Sequence, residues 1–372
     1  MDSQSPQNGS VGNPNSAQNA SIAAQAAYAG GAPVAGLPPQ RRSHAGAWTL
    51  LVLLVLGAVG LLVLGLAAVG ALATLAGTSG EARVREEFVS HNESASRKIA
   101  IIAIEGVIMD EVDGFVKRQI DHVLKDEQVA AIVLRINSPG GTISGSDYLH
   151  HHLRKLADER ELPIVASMGG IAASGGYYVA MAVGDAPDSI FAEPTTFTGS
   201  IGVIIPRYDL SQLLEKWGVE YDAVASGKFK SMGNMARPMT EEERALFQQI
   251  VDEGFGQFKD VIRSGRPKFR EEPETLDALA TGQIFTSGQA VENGLVDRVG
   301  FIEAAVDRAI EIAKLDPANV KVVRYKREPS LAGLLMGGEA RGRTLDLQAV
   351  LELTTPRAYY LCTWLPPLHG RP

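Results

Sequence analysis

Three apolar runs of strand length, rich in β-branched residues, constrain the fold of this chain more than any other feature. They cover residues 98–109, 129–136 and 163–168, and residues 189–192 are a shorter fourth candidate. A strand that is apolar along its whole length is buried on both faces, as in a parallel sheet covered by helices. We therefore expect these runs to be the strands of a parallel sheet.

Helical patterns alternate with these runs. Apolar residues recur at three- and four-residue spacing over residues 112–124 and 144–157, which is the spacing of an amphipathic helix. The alternation of strand and helix indicates an α/β fold. Later helices are expected after the capping boxes Thr240/Glu243 and Thr286/Gln289, with a stop at Gly294, and over residues 302–313.

The N-terminal part has a different composition. Residues 1–46 are rich in small and polar residues, which predicts a disordered tail. Residues 48–76 are apolar and uncharged, and they exceed the ~20 residues that a helix needs to cross a bilayer. We therefore expect one transmembrane helix over residues 47–77, followed by a linker over residues 78–97. A cleaved signal peptide is the alternative, but the run is too long and begins too far into the chain.

The arginines that flank this run predict its orientation. Arg41 and Arg42 precede it with no acidic neighbour, whereas the two arginines that follow it lie among glutamates. Basic residues next to a span favour the cytoplasmic side. We expect a single-pass membrane protein whose N-terminus is cytoplasmic and whose main domain, residues 98–322, is extracytoplasmic. A C-terminal extension covers residues 323–372, and its aromatic side chains are expected to dock on this domain or on a neighbour: Tyr359, Tyr360 and Trp364.

Charge and cysteine content exclude several classes of function. The formal net charge is −8 and the sequence has no basic stripe, so a nucleic-acid partner is not expected. The one cysteine, Cys362, forms neither an internal disulfide nor a zinc site alone. The sequence therefore predicts no metal and no cofactor.

Two glycine-rich turns follow two of the predicted strands. The first contains Gly140 and Gly141, and the second places Ser174 directly before Gly175 at the start of an apparent helix. Backbone N–H groups at such a turn favour negative charge. Ser174 is therefore a candidate nucleophile, and the N–H of Gly175 with that of Gly140 or Gly141 is a candidate oxyanion hole. The alternative is that Ser174 only caps a helix.

A serine nucleophile needs a base. No sequence pattern predicts a histidine near Ser174, and the run His150–His152 is interpreted as a solvated helix face. A lysine serves instead when burial favours its neutral form. Lys228 and Lys230 lie in a small, apolar segment without an acid. An ordinary basic loop is the other interpretation of this segment.

Several motifs, in this order, resemble the signal peptide peptidase A family. The resemblance covers roughly residues 98–314, and the order of the motifs makes it specific. The matching segments are residues 137–141 (Asn-Ser-Pro-Gly-Gly), 173–178 (Ala-Ser-Gly-Gly-Tyr-Tyr), 198–203 (Thr-Gly-Ser-Ile-Gly-Val), 226–230 (Ser-Gly-Lys-Phe-Lys) and 290–300.

The resemblance implies a serine protease with a Ser/Lys dyad on a Clp-protease/crotonase-like fold built of repeated ββα units. By this resemblance Ser174 is the nucleophile, Lys230 rather than Lys228 is the general base, and Ser200 orients the lysine amine. It also implies that short members assemble into homo-oligomeric rings, so that serine and lysine can come from neighbouring chains.

The expected substrates are signal-peptide remnants or other membrane-proximal peptides, cleaved at the bilayer through an acyl-enzyme. Two other functions remain open from the residues alone. One is a crotonase-like acyl-CoA enzyme, which would need neither the anchor nor a special serine. The other is a catalytically silent membrane scaffold, in which the glycines and Ser174 only shape an interface.

Overall fold

The computed structural model describes residues 50–51, 53–65, 84–110, 112, 114–328 and 358–361. Helix α1, residues 50–51 and 53–65, lies in a first unit that spans residues 1–72, and its leucine and valine side chains are exposed. Within the described residues, no helix is both long and apolar enough to cross a membrane. The rest of the expected anchor and the expected tail lie outside the described residues.

All other described elements lie in a second unit, residues 73–372. The strands are β1 (Val84–His91), β2 (Arg97–Glu105), β3 (Val129–Ser138), β4 (Gly140–Thr142), β5 (Ile164–Ala173), β6 (Ile190–Ala192), β7 (Phe197–Gly199), β8 (Ile284–Thr286), β9 (Arg298–Val299), β10 (Val320–Arg327) and β11 (Tyr359–Leu361). The helices are α2 (Phe115–Lys125), α3 (Ile143–Arg160), α4 (Gly175–Ala180), α5 (Ser211–Lys216), α6 (Glu241–Gly265), α7 (Pro267–Glu271), α8 (Pro273–Leu279), α9 (Ser287–Asn293) and α10 (Ile302–Ile312).

The central sheet has the strand order β1-β10-β2-β3-β5-β6-β9. In addition, β7 pairs with β5 on one side and with β8 on the other. The pairs from β10 to β9 along this order are parallel, and only β1–β10 and β7–β8 are antiparallel. β4 lies outside this sheet and pairs with β11. The mixed α/β architecture with a mainly parallel sheet confirms that the chain has an α/β fold.

Helices cover both faces of this sheet. Along β2, Ile102 and Ile104 pack into the larger core under α2, α3, α4 and α6, whereas Ile99 and Ile101 pack into a second core under α10. Successive side chains of a strand point to opposite faces, so both faces need apolar residues. This burial explains the continuous apolar runs.

The predicted elements are found within a few residues of their expected ends. The four apolar runs overlap β2, β3, β5 and β6, and β5 continues beyond its run to Ala173. Both capping boxes are present, at the starts of α6 and α9, and α9 ends at Gly294 in the left-handed region with φ 78°. These local signals depend on side-chain hydrogen bonds between near neighbours.

Two expected boundaries differ from the structure. The sequence predicts a linker over residues 78–97, but β1 lies within them and forms the edge of the sheet beside β10. An edge strand keeps its charged side chains in water on both faces, as Glu87 does while pairing with Arg324 and Lys326. β10 itself crosses the expected boundary between residues 322 and 323.

Candidate active site

Two neighbouring strands bring the glycine-rich turns together. β3 and β5 are parallel partners, and Ser138 at the end of β3 pairs with Ala172 near the end of β5. The carboxyl ends of parallel partners lie at the same edge of a sheet, where α/β proteins bind ligands. The turn that enters β4 and the turn that enters α4 therefore face each other.

Ser174 lies between β5 and α4 in a backbone conformation that few non-glycine residues adopt. Its φ is 54° and its ψ is −117°, and such angles cost about 1–3 kcal/mol. The Ser174 N–H donates to the Gly199 carbonyl at 2.8 Å, and its own carbonyl accepts from the Tyr178 N–H at 2.9 Å. The hydroxyl makes no capping hydrogen bond to α4, which argues against a role as a helix cap.

The Ser174 hydroxyl is buried and has no hydrogen-bond partner among the described residues. The whole residue is only 1% exposed. A buried polar atom without a partner costs about 1–3 kcal/mol of stability. A strained residue that presents an unpaired hydroxyl is poorly explained by packing and well explained by a reacting atom.

The contacts of Gly140 and Gly175 show how closely the two turns approach. Gly140 has φ 99°, and a β-carbon there would collide with the Tyr360 carbonyl oxygen and lie 2.7 Å from the Gly175 nitrogen. A β-carbon on Gly175 would collide with the Ser146 hydroxyl and lie 3.1 Å from the Gly141 nitrogen. Only glycine fits either position.

The two amides that could pair with Gly175 differ in their partners. The Gly140 N–H already donates to Ser138 Oγ at 3.1 Å. The Gly141 nitrogen is the one that lies close to the position of a Gly175 β-carbon. Of the two alternatives for an oxyanion hole, the geometry favours Gly141 beside Gly175.

Ser200 lies close to the nucleophile candidate along the backbone. It follows Gly199, whose carbonyl binds the Ser174 N–H, and its own N–H donates to Gln283 at 2.7 Å. Ser200 is 8% exposed and has φ 51°. The structure therefore brings Ser200 to the same part of the sheet edge as Ser174.

The two candidate lysines are not brought to Ser174 within one chain. Lys230 is exposed, its N–H donates to the Gly227 carbonyl, and no hydrogen bond joins it to Ser174. Lys228 forms an ion pair with Glu242, and its amine lies 5.3 Å from the Phe229 ring centroid. In an isolated chain, neither lysine is therefore placed to act as a base for the buried Ser174 hydroxyl.

A strand from the C-terminal extension lies across the site. β11, named the strap here, pairs antiparallel with β4 on one side, so that Tyr360 faces Gly141. On its other side Tyr359 exchanges two backbone hydrogen bonds with Ile204, of 2.9 and 3.1 Å. An extended segment with backbone partners on both sides fills a groove that would suit a peptide bound by strand addition.

Tyr360 anchors the strap. Its ring is fully buried, stacks on Tyr178 at 5.1 Å and contacts Phe258 at 4.5 Å, and its hydroxyl donates to the Gly254 carbonyl at 2.7 Å. The expectation that the aromatic tail docks is confirmed for this residue, while Trp364 lies outside the described residues. The sequence analysis did not predict where the tail docks, although the two adjacent tyrosines were the signal of a docking segment.

The histidine run is only partly solvated. His151 is exposed as expected, but His150 is half-buried with its ring 5.5 Å from the Tyr178 ring. Burial lowers the pKa of the His150 imidazole to about 4. The prediction of a wholly solvated face was wrong for His150, because this position of α3 packs towards α4.

One cluster of possible metal ligands occurs in the described part of the chain. Glu86, His122 and Asp126 offer ligand atoms within 4.8 Å of one another. The Lys98 amine already lies 2.7 Å from the Glu86 carboxylate and 2.8 Å from that of Asp126. These acids are therefore explained by an ion-pair network around Lys98.

Sequence comparisons identify the family of this chain. The sequence profile of peptidase family S49 matches residues 157–316. A Synechocystis protein described as a protease is 36% identical over 252 residues, which are 68% of this chain and 87% of that protein. A signal peptide peptidase SppA from Enterococcus faecium is 35% identical over 260 residues, 67% of this chain and 72% of that protein.

A third relative is longer. Protease 4 of Salmonella typhi is 34% identical over 245 residues, which are 64% of this chain and 38% of that protein. The chain belongs to peptidase family S49, the signal peptide peptidase A family, and is a serine protease.

Proposed function

We propose that this chain is a membrane-anchored endopeptidase that cleaves signal-peptide remnants or other membrane-proximal peptides with Ser174 and Lys230. The observation that carries the proposal is the buried, unpaired Ser174 hydroxyl in a strained turn between two glycine-rich segments. The Enterococcus relative is named as a signal peptide peptidase, which supports the substrate class. The S49 profile and the strand order are compatible with the Clp-protease/crotonase-like fold that we infer.

In the proposed reaction, Ser174 Oγ attacks the carbonyl carbon of the scissile peptide bond. The neutral Lys230 amine takes the hydroxyl proton and passes it to the leaving amine, and water then hydrolyses the acyl-enzyme. The Gly175 and Gly141 N–H groups stabilise the oxyanion of each tetrahedral intermediate. Ser200 orients the lysine amine from its place beside Gly199.

Assembly is part of the proposal. A lysine amine accepts a proton only in its neutral form, which burial favours, whereas Lys230 is exposed in the isolated chain. A neighbouring protomer in a homo-oligomeric ring would cover Lys230 and bring it to a serine. The exposed apolar side chains that precede it in the sequence, including those of Trp217 and Val224, suit such a contact.

We also propose that residues 47–77 anchor the enzyme in the bilayer. The described part of this segment is helical, with leucine and valine side chains exposed around it, as suits a lipid environment. The N-terminus would lie in the cytoplasm and the protease domain on the extracytoplasmic side. An enzyme held at the bilayer meets membrane-proximal peptides without a soluble carrier.

The test is labelling of the full-length protein by an acylating serine-directed probe, together with turnover of a fluorogenic peptide. Wild type should be labelled at Ser174 and should cleave the peptide. Ser174→Ala should lose both signals, and Lys230→Ala should lose turnover while its circular dichroism stays that of wild type. Lys228→Ala is the matched control and should stay active. Full turnover by Lys230→Ala would remove the dyad from the proposal.

A further inference from the structure

A cavity of about 530 Å³ adjoins the groove that the strap fills. It lies between the start of α3, the middle of α6 and Ala358, which directly precedes the strap. Its walls include Asp110, Ile143, Ile250, Glu253 and Ala358. The inference drawn from it rests on the proposed function, because it concerns how a peptide substrate is chosen.

The strap shows which part of a bound peptide would reach this cavity. The Tyr360 carbonyl lies against Gly140, beside the Gly175 N–H, which is where the carbonyl of a scissile bond would lie. The strap runs antiparallel to β4, and the Ile143 N–H donates to the Ala358 carbonyl at 3.4 Å. A peptide bound in the place of the strap would therefore pass Ile143, and its residues before the scissile bond would reach the cavity as Ala358 does.

The described walls of the cavity carry two carboxylates and no basic side chain. Asp110 is held in place by the Thr142 hydroxyl, which donates to it at 2.5 Å. Glu253 is exposed on α6 and has no hydrogen bond or ion pair with any described residue. Ile143 and Ile250 provide an apolar surface between the acids, so the cavity suits a side chain with an apolar stem and a positive head.

We propose that this cavity is a substrate subsite that selects a lysine or arginine two to four residues before the scissile bond. The stem would lie along Ile143 and Ile250, and the head would meet Glu253 in a charge-assisted hydrogen bond.

Binding to the full-length Ser174→Ala protein tests the subsite apart from catalysis. The probes are fluorescent peptides with one tyrosine, which would take the place of Tyr360, and with lysine placed one, two or three residues before it, each matched with a glutamine peptide. At least one lysine peptide should bind about five- to tenfold more tightly than its glutamine partner at low ionic strength, and added salt should reduce the difference. Equal affinities in every pair, or no binding of any peptide, would overturn the proposal.

Variants on α6 assign the effect to the cavity. Glu253→Gln should reduce the lysine preference several-fold, and Glu253→Lys should make a glutamate peptide the better ligand. Asp252→Asn removes the same charge from the neighbouring position, which does not line the cavity, and should keep the wild-type preference. A preference that survives Glu253→Lys would also overturn the proposal. Failure of the proposed protease activity is a separate result, seen as absence of peptide hydrolysis by wild type while the lysine preference in binding remains.

Discussion

At the scale of single residues, Gly140 sets the geometry of the nucleophile turn. A methyl group there would collide with the Tyr360 carbonyl and press on Gly175 and Ser174, and φ 99° is unfavourable for alanine. Gly140→Ala should displace the Gly141 and Gly175 amides from the oxyanion. We expect kcat/KM to fall by about 100-fold, as when one oxyanion donor is lost.

The matched control is Gly256→Ala in α6, where a β-carbon would meet nothing within 4 Å. This variant should keep the activity of wild type and should be slightly more stable, because alanine favours helix. Displacement of the strap alone would raise kcat/KM. A lower kcat/KM in Gly140→Ala would therefore be caused by the change in the turn. Unchanged peptide turnover by Gly140→Ala would contradict the assigned role of this turn.

Glu243 makes the start of α6 sensitive to acid. It is buried, pairs with Arg237 and completes the capping box with Thr240. The hydrogen bond from Arg237 lowers the pKa of Glu243 to about 2. A carboxyl whose pKa is lower in the folded state stabilises the fold above its unfolded pKa, near 4.3, and this contribution is lost as pH falls towards 2.

Glu243→Gln should therefore lower the Tm at pH 7 by about 3–6 °C, and the gap to wild type should close as pH falls from 4 to 2. Thermal unfolding followed by circular dichroism at several pH values measures this. Glu242→Gln, which breaks only the exposed pair with Lys228, should change the Tm little. A gap that stays constant with pH would show that charge on Glu243 is not its cause.

At the scale of elements, the strap occupies the groove in which we propose that substrate binds. It holds both backbone edges of the groove, at β4 and at Ile204, and Tyr360 fixes it there. Tyr360→Ala removes a fully buried ring, a change that costs about 3–5 kcal/mol in a core. The strap should then leave the groove more often, and kcat/KM for a short peptide should rise.

Tyr359→Ala serves as the control, because Tyr359 is half-buried and holds Ile204 through backbone atoms that alanine keeps. Its peptide turnover should stay near that of wild type. Peptide kinetics on the three full-length proteins, with Tm as a check on folding, decide the matter. An unchanged or lower kcat/KM in a folded Tyr360→Ala protein would mean that the strap does not obstruct the groove.

The elements that the sequence predicts are those whose own residues carry the signal. β2, β3 and β5 are apolar because both of their faces are buried, and capping boxes mark the first residues of α6 and α9. β1 and β11 carry no such pattern. β1 is a charged edge strand, and the three residues of β11 become a strand only through β4 and Ile204, far away in sequence.

The same distinction applies to the candidate site. The glycine turns around Ser174 are local, so sequence predicts a nucleophile there, and the structure adds the strain and the unpaired hydroxyl. Lys230 has no local signal of its own, and its role remains a prediction from family resemblance. The acidic cavity joins Asp110 to Glu253, 143 positions apart in sequence, which no sequence spacing reveals.

At the scale of the whole molecule, the surface around Lys230 is unusual for an isolated chain. None of residues 211–230 is buried, and Trp217 is 73% exposed. The segment is nevertheless held at its base, where Leu210 N–H donates to Met235 and Arg207 donates to Asn234. An ordered segment with exposed apolar side chains is typical of a surface that meets a partner.

A second copy of the chain is the partner that would complete the dyad. If Ser174 and Lys230 of one site come from neighbouring protomers, the single variants Ser174→Ala and Lys230→Ala should each be inactive, yet mixed oligomers should recover activity. In a head-to-tail ring of equal, random composition, a competent pair forms at about one quarter of the interfaces. The mixture should therefore show about 25% of wild-type turnover.

The mixing experiment requires co-expression of the two full-length variants with different affinity tags, and two-step purification so that only mixed assemblies remain. Peptide turnover per protomer is then compared with wild type and with each variant alone. Mixing Ser174→Ala with Lys228→Ala is the control, and there every Lys228→Ala protomer retains both of its own dyad residues. Recovery near one quarter places the two residues on different protomers, because a dyad within one chain leaves every site in the mixed assembly defective. Mixed assemblies that stay inactive would contradict the shared site and would leave Lys230 to reach Ser174 by movement of its own segment.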